Sequence, residues 1–127
     1  MATIQFLQNN QLSPNNEVIT ATWAALTFAG SDVGAPLRLA CYGDKTFQVF
    51  GTLGVGGSVV IEGSNDTFNW APLSNRQGTA MAFTAGGFNT SQDKPVYVRP
   101  RITAGDGTTS LTIVCAAHRT DMPGVGA

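Results

Sequence analysis

"KPVYVRPRITAGDGTTSLTIVCAA", residues 94–117, decides the fold. In its first half Val96, Val98 and Ile102 fall on one side of an extended chain, with Tyr97, Arg99, Arg101 and Thr103 on the other. Side chains alternate between faces along a strand, whereas a helix repeats its apolar positions every three or four residues. The second half repeats the alternation with Leu111, Ile113 and Cys115. Asp106–Gly107 lies between the halves and adopts positive φ readily, so the two runs are expected to pair as a hairpin. Pro100 has no N–H to give to a ladder, which puts the first run at a sheet edge or bulges it there.

Outward from this stretch the same period recurs. "SVVIEG" (58–63) turns Val59 and Ile61 inward after the glycine-rich connector "GVGG" (54–57). "KTFQVFGTL" (45–53) groups Phe47, Val49 and Leu53, and "APLRLACY" (35–42) groups Leu37, Leu39 and Cys41. A tight turn at Gly43–Asp44 would join those two runs as a hairpin. "ATWAALTFAG" (21–30) has enough alanine for a helix, but its threonines and aromatics favour a strand. About eight short strands result, the pattern of an all-β β-sandwich, either a jelly roll or another Greek key. Residues 1–20 read as a polar N-terminal arm or strand, 21–120 as the sandwich domain and 121–127, rich in Gly and Pro, as a flexible tail.

The 127 residues suit one domain. Only 12% are charged and the formal net charge is −1, so the surface is built of Thr, Ser, Asn, Gln and Gly and copies repel one another little. Seven basic against eight acidic residues give no excess with which to hold a phosphate backbone, so nucleic acid is not an expected partner. No secretory leader is read at the N-terminus and no apolar run is long enough to span a bilayer, which points to synthesis in a cytoplasm without a membrane partner. Cys41 and Cys115 are expected to be buried, reduced thiols.

Residues with catalytic chemistry are few. His118, the one histidine, sits at a strand end without a carboxylate placed to orient it. The acidic residues are scattered, with Asp32, Asp44, Asp66 and Asp106 read as turn residues that cap their own backbone. The glycine runs lack the residues of a phosphate-binding loop, and "GSND" (63–66) offers too few oxygens for calcium. No catalytic, cofactor or metal residue is therefore assigned. Tyr97, Arg99 and Arg101 share one strand face and could grip carboxylates of a neighbouring chain. Ile4 and Phe6 in "ATIQFL" (2–7) are spaced as on a strand, followed by polar residues, and are expected to reach outward onto another sheet edge. Asn65 and Asp66 should shape a corner between strands, with Trp70 anchoring it in or near the core.

"VVIEGSNDTFNWAPLS" (59–74) followed by "KPVYVRPRITAGDGTTSLTIV" (94–114) resembles a pattern in small virion proteins of tailed bacteriophages and prophages, over about residues 45–118. The resemblance implies a head decoration, or cement, protein made in the bacterial host cytoplasm. Such a protein associates with itself, as a dimer or trimer, and clamps major capsid protein subunits on the capsid surface. The alternative is a carbohydrate- or receptor-binding sandwich of a phage tail or fibre. There Trp70, Tyr42 or Phe68 would stack on sugar rings, and Asn65 and Asp66 would bond hydroxyls.

Overall fold

The computed structural model describes residues 2–10, 12 and 17–119. The tail expected at 121–127 and residues 11 and 13–16 of the expected arm lie outside the described residues. The chain forms β1 (Thr3–Ile4), β2 (Phe6–Asn9), β3 (Val18–Thr27), β4 (Val33–Gly34), β5 (Leu37–Arg38) and β6 (Tyr42–Thr52). These are followed by β7 (Ser58–Ser64), β8 (Ala71–Pro72), β9 (Ala82–Phe83), β10 (Gly87–Ser91), β11 (Tyr97–Ala104) and β12 (Ser110–Arg119). β1, β4, β5, β8 and β9 have two residues each, too short to show a period in the sequence.

The fold is all-β with two sheets. One has seven strands, in the order β1-β4-β11-β7-β8, with β5 also on β11 and β9 also on β7. The other has five, in the order β10-β6-β12-β3-β2. The core is the meeting of their inner faces in a sandwich-like arrangement. Val59, Ile61, Val98 and Ile102 come from the first sheet, and Trp23, Phe47, Val49, Leu111, Ile113 and Cys115 from the second. Trp23 is wholly buried, its indole N–H donates to Ala35 O at 3.0 Å and Phe6 meets it edge-on at 5.9 Å.

Trp23 and Leu26 are three residues apart, which strict alternation would put on opposite faces. A bulge resolves this. Leu111 pairs with Leu26 and Ile113 with Trp23, so β3 advances three residues while β12 advances two. Ala25 absorbs the extra residue at φ 60°, and its N–H donates to Thr112 Oγ1 at 3.2 Å.

Neither expected hairpin forms. β11 pairs with β7, β4 and β5, while β12 pairs with β3 and β6 in the other sheet. The Asp106 turn exists, but it carries the chain from one sheet to the other. Val98 and Ile102 therefore contribute to the core from the sheet opposite Leu111 and Ile113 rather than beside them. The period identifies the apolar face of each run and says nothing about whether two such faces lie side by side or face to face.

In the same way β5 belongs to the seven-stranded sheet and β6 to the five-stranded one. The chain turns at Leu39–Tyr42, where Tyr42 N–H donates to Leu39 O at 3.1 Å, and not at Gly43–Asp44, which lie within β6. That turn swings Cys41 to the surface, against the expectation of a buried thiol, while Cys115 is buried as expected. Asp44 is accordingly a strand residue rather than a turn cap. Asp32 does cap a turn, accepting from Thr27 N–H at 2.8 Å and Thr27 Oγ1 at 2.9 Å.

Pro100 is neither at an edge nor at a bulge. It pairs with Ile61 on one side, and on the other it falls between the short strands β5 and β4, which touch β11 at Tyr97–Val98 and at Arg101. The missing donor thus sits at a gap in the neighbouring ladder. Gly34 makes room for the ring, because a Cβ there would stand 2.5 Å from Pro100 Cδ and 2.7 Å from Trp23 Cδ1. The register shift of β11 comes later, between Ile102 and Ala104.

Candidate functional site

Two surfaces concentrate the residues of interest. The first is the outer face of the seven-stranded sheet, where β11 turns Tyr97, Arg99 and Arg101 outward, all half-buried. The arginines do not wait for a neighbour's carboxylate. Glu62, directly opposite Arg99 on β7, receives Arg99 Nε at 3.2 Å on Oε1 and Arg101 Nε at 3.0 Å on Oε2. The glutamate is 5% exposed, so one buried carboxylate is shared by two guanidinium groups of its own chain. Its signal in the sequence is its parity: in "VVIEG" Glu62 is outward when Ile61 is inward, the same face as the arginines.

Arg99 also lies over the Trp70 ring, 4.0 Å from its centroid, a cation–π contact. Trp70 was expected in or near the core. It is half-buried on the outside of the sheet, and the central tryptophan is Trp23. The reason is the loop before it. Asp66 accepts from Asn69 N–H at 2.8 Å, Asn69 Nδ2 at 2.8 Å and Phe68 N–H at 2.9 Å, and Ser64 Oγ donates to it at 2.9 Å. These donors, the Asn69 backbone N–H foremost, hold its carboxyl well below the ordinary range. Thr67, at φ 66°, bends the chain back, and its carbonyl accepts the Trp70 indole N–H at 3.1 Å. Asn65 Oδ1 accepts from Val96 N–H at 3.0 Å and ties the corner to the approach of β11. Asn65 and Asp66 thus shape a corner between strands, and Trp70 closes over Arg99.

Phe68 stands at the tip of this corner, 86% exposed. Beside it an open groove of about 360 Å³ is lined by Asn65, Asn69, Asp93 and Lys94, among others. Tyr42 is half-buried and packs against the core.

The second surface is the outer face of the five-stranded sheet, which the sequence reading did not single out. Leu7 stands opposite Thr22, Thr22 opposite Val114, Val114 opposite Gln48 and Gln48 opposite Phe88. The next outward row runs Asn9, Thr20, Ala116, Thr46 and Thr90. Neither row carries a charge. Asp44 and His118, a cross-strand pair, lie at one end of the face, and His118 is exposed. Each strand showed its own alternation, but the row appears only once the strand order is known.

Ile4 and Phe6 do not extend away from the molecule. β1 pairs in parallel with β4, β2 pairs antiparallel with β3, and both side chains pack against the core. The segment expected to be an arm contributes one strand to each sheet, because a half-buried apolar residue on its inner side repays pairing at home. Among the described residues no three His, Cys, Asp or Glu side chains are grouped to hold a metal ion, and no helix is long and apolar enough to cross a membrane.

These features define a two-sheet all-β domain whose two outer faces are unlike: one ionic and aromatic, the other crossed by two uncharged rows. No protein-family model matches the chain, and no curated protein matches it. The fold is similar to that of the SPBc2 prophage-derived protein YomS, with a TM-score of 0.60 at 10% identity, covering 79% of this chain and 93% of that one. A looser likeness, TM-score 0.43 at 9% identity, links it to an adhesin domain of Lys-gingipain from Porphyromonas gingivalis W83, covering 92% of this chain and 85% of that one. Another, TM-score 0.42 at 11% identity, is to a family 89 glycoside hydrolase from Clostridium perfringens, covering 91% of this chain but 11% of the enzyme. The first likeness shows a shared fold, and the other two are too loose to support an argument.

Proposed function

We propose that the protein is a non-catalytic structural component of a tailed-phage or prophage virion, an oligomeric decoration protein that binds the capsid lattice. The observation that carries this reading is the pair of uncharged rows across the outer face of the five-stranded sheet, with Leu7 80% and Phe88 70% exposed at its two sides. Rows without charges lose little on desolvation and can lie against another protein, whereas a reaction centre needs converging titratable groups. Support comes from the resemblance over residues 45–118 and from the prophage origin of YomS. Successive strands change sheets repeatedly, which fits the finer fold class we assign, a jelly roll or related Greek key.

The test is cosedimentation with capsid shells of the parent particle that lack this protein. Wild type should bind to saturation, and Thr22→Lys combined with Gln48→Lys should abolish binding while the melting temperature holds. Undiminished binding by that variant would remove the face from the reading, and gold-labelled protein on tail fibres instead of heads would overturn it.

A second reading, a glycan- or receptor-binding module of a tail, is favoured by one feature: exposed Phe68 beside the groove of Asn65, Asn69, Asp93 and Lys94. Retention on a glycan array that is lost in Phe68→Ala would establish it.

A further inference from the structure

We propose that strand β10 is a self-association edge, pairing antiparallel with β10 of a second copy to make one ten-stranded sheet. Natural sheets guard their edges with very short strands, charged residues, proline or bulges. The seven-stranded sheet does so, since β1 and β8 at its ends have two residues each. The five-stranded sheet ends in β2 and β10, and β10 is the longer, "GFNTS", without charge or proline and in unbroken register with β6.

The backbone of β10 is its own complement. Thr90 N–H is turned to the Oδ1 of its neighbour Asn89, 3.0 Å away. Alternate residues of an antiparallel strand point their N–H and C=O the same way, so Phe88 shares that outward direction. A two-fold axis through Asn89 sets Phe88 opposite Thr90 of the second copy and Thr90 opposite its Phe88. Both are then hydrogen-bonded pairs, giving four backbone bonds. A second copy is the occupant this edge fits, because the same five residues supply both halves of the ladder and the near-neutral chain opposes no approach.

The side chains agree. Phe88 and Phe50 are 70% and 47% exposed. Phe88 lies opposite Gln48, so Phe50, two residues along β6, is its diagonal neighbour on the same face. Pairing brings the Phe88 of each copy onto Thr90 of the other and continues the uncharged rows across the junction. The inference deepens the oligomeric part of the reading above and does not depend on capsid binding.

Sedimentation equilibrium on the full chain tests it, with Thr90→Pro as the main variant. Proline is tolerated where the N–H faces away from the sheet, so this change should leave the monomer folded while removing donors the pairing needs. Wild type should form dimers at tens of micromolar, with Phe88 and Thr90 amides gaining exchange protection as concentration rises. Thr90→Pro should weaken the dimer about tenfold or more, and Phe88→Lys, should the proline variant misfold, serves the same end. A wild type that stays monomeric would overturn both this inference and the oligomeric reading. A dimer indifferent to both substitutions, or lost instead in Arg99→Ala with Arg101→Ala, would overturn the β10 edge alone. An open-ended series of species would replace the two-fold axis with head-to-tail pairing.

Discussion

Lys45 brings its ammonium group inside the protein, hydrogen-bonded to backbone carbonyls and close enough to Cys115, Asp93 and Asp44 to feel their charges. It is wholly buried, and Nζ donates to Gly43 O at 3.4 Å and to Asp93 O. Burial pulls its pKa below the ordinary 10.5, and burial pushes the Cys115 thiol from 9.0 up to about 12. The two act on stability with opposite signs. The neutral thiol's contribution is complete below pH 9 and is lost as pH climbs through about 12, because the unfolded chain gives up its thiol proton first. Lysine runs the other way: the unfolded chain holds its extra proton up to 10.5, so the native state gains as pH rises toward that value. Below 10.5 and above 9 the two slopes are opposite in sign, the thiol lowering stability with rising pH and the lysine raising it. Urea unfolding across that window should therefore show stability falling with pH more steeply in Lys45→Met than in wild type, by at most about 1.4 kcal/mol per pH unit, and less steeply in Cys115→Ala. Parallel curves for all three would contradict the burial of both groups. The cysteines give a second residue-scale prediction. A thiol reagent should label Cys41 in the native protein within minutes and reach Cys115 only on unfolding, and equal rates would contradict the turn at Leu39–Tyr42.

At the scale of elements, β1 and β2 tie the N-terminal segment into both sheets. Removing residues 1–9 takes away the half-buried Ile4 and Phe6 and uncovers one side of Trp23. The loss should be about 3 kcal/mol, or roughly 10 °C in melting temperature for a domain of this size. Unchanged melting in the truncated chain would return the segment to the role of an outward arm. The sequence showed Ile4 and Phe6 at strand spacing, but two short strands flanked by polar residues carry no mark of which sheet they join. The same limit explains Arg99 and Arg101. Their shared face was legible from a period of two, whereas their partner Glu62 lies 37 residues before Arg99 and becomes its neighbour only through the β7–β11 register. Trp70 was misplaced for a different reason. Its position follows from a four-residue hydrogen-bonded corner at Ser64–Thr67 and not from any period, so alternation had no purchase on it. Asp66, whose type marks turns by its own local bonds, was placed well.

At the scale of the whole molecule, connectivity makes the two sheets one cooperative unit. Among the strands described, consecutive ones pair only at β2–β3 and at β7–β8, and every other ladder joins segments distant in sequence. β5–β6, β6–β7, β10–β11 and β11–β12 each pass from one sheet to the other. The all-β class and most inner faces were therefore legible, since they depend on local period, while the hairpins were not, since pairing is decided by which apolar faces close over the core. The crossings are also fastened to one another. Asp106, in the β11–β12 connection, accepts from Val55 N–H at 2.8 Å in the β6–β7 connection, and Thr109 Oγ1 donates to Leu53 O at 2.7 Å. Gly54 makes that junction possible, with φ 67° and no room for a Cβ, which would stand 2.3 Å from the Asp106 carboxylate. Neither sheet can leave the other without exposing Trp23, Phe47 and Ile61 to water. Unfolding should then be a single transition. In Trp70→Phe, where Trp23 is the sole tryptophan, its fluorescence should report the loss of the core at the same denaturant midpoint at which far-ultraviolet circular dichroism reports the loss of both sheets. Refolding should be slow for the chain length, in the millisecond-to-second range of sheet proteins dominated by distant contacts. Separate midpoints would mean that one sheet outlives the core, and the crossings would then be connections between two independent layers rather than the fastening that makes them one domain.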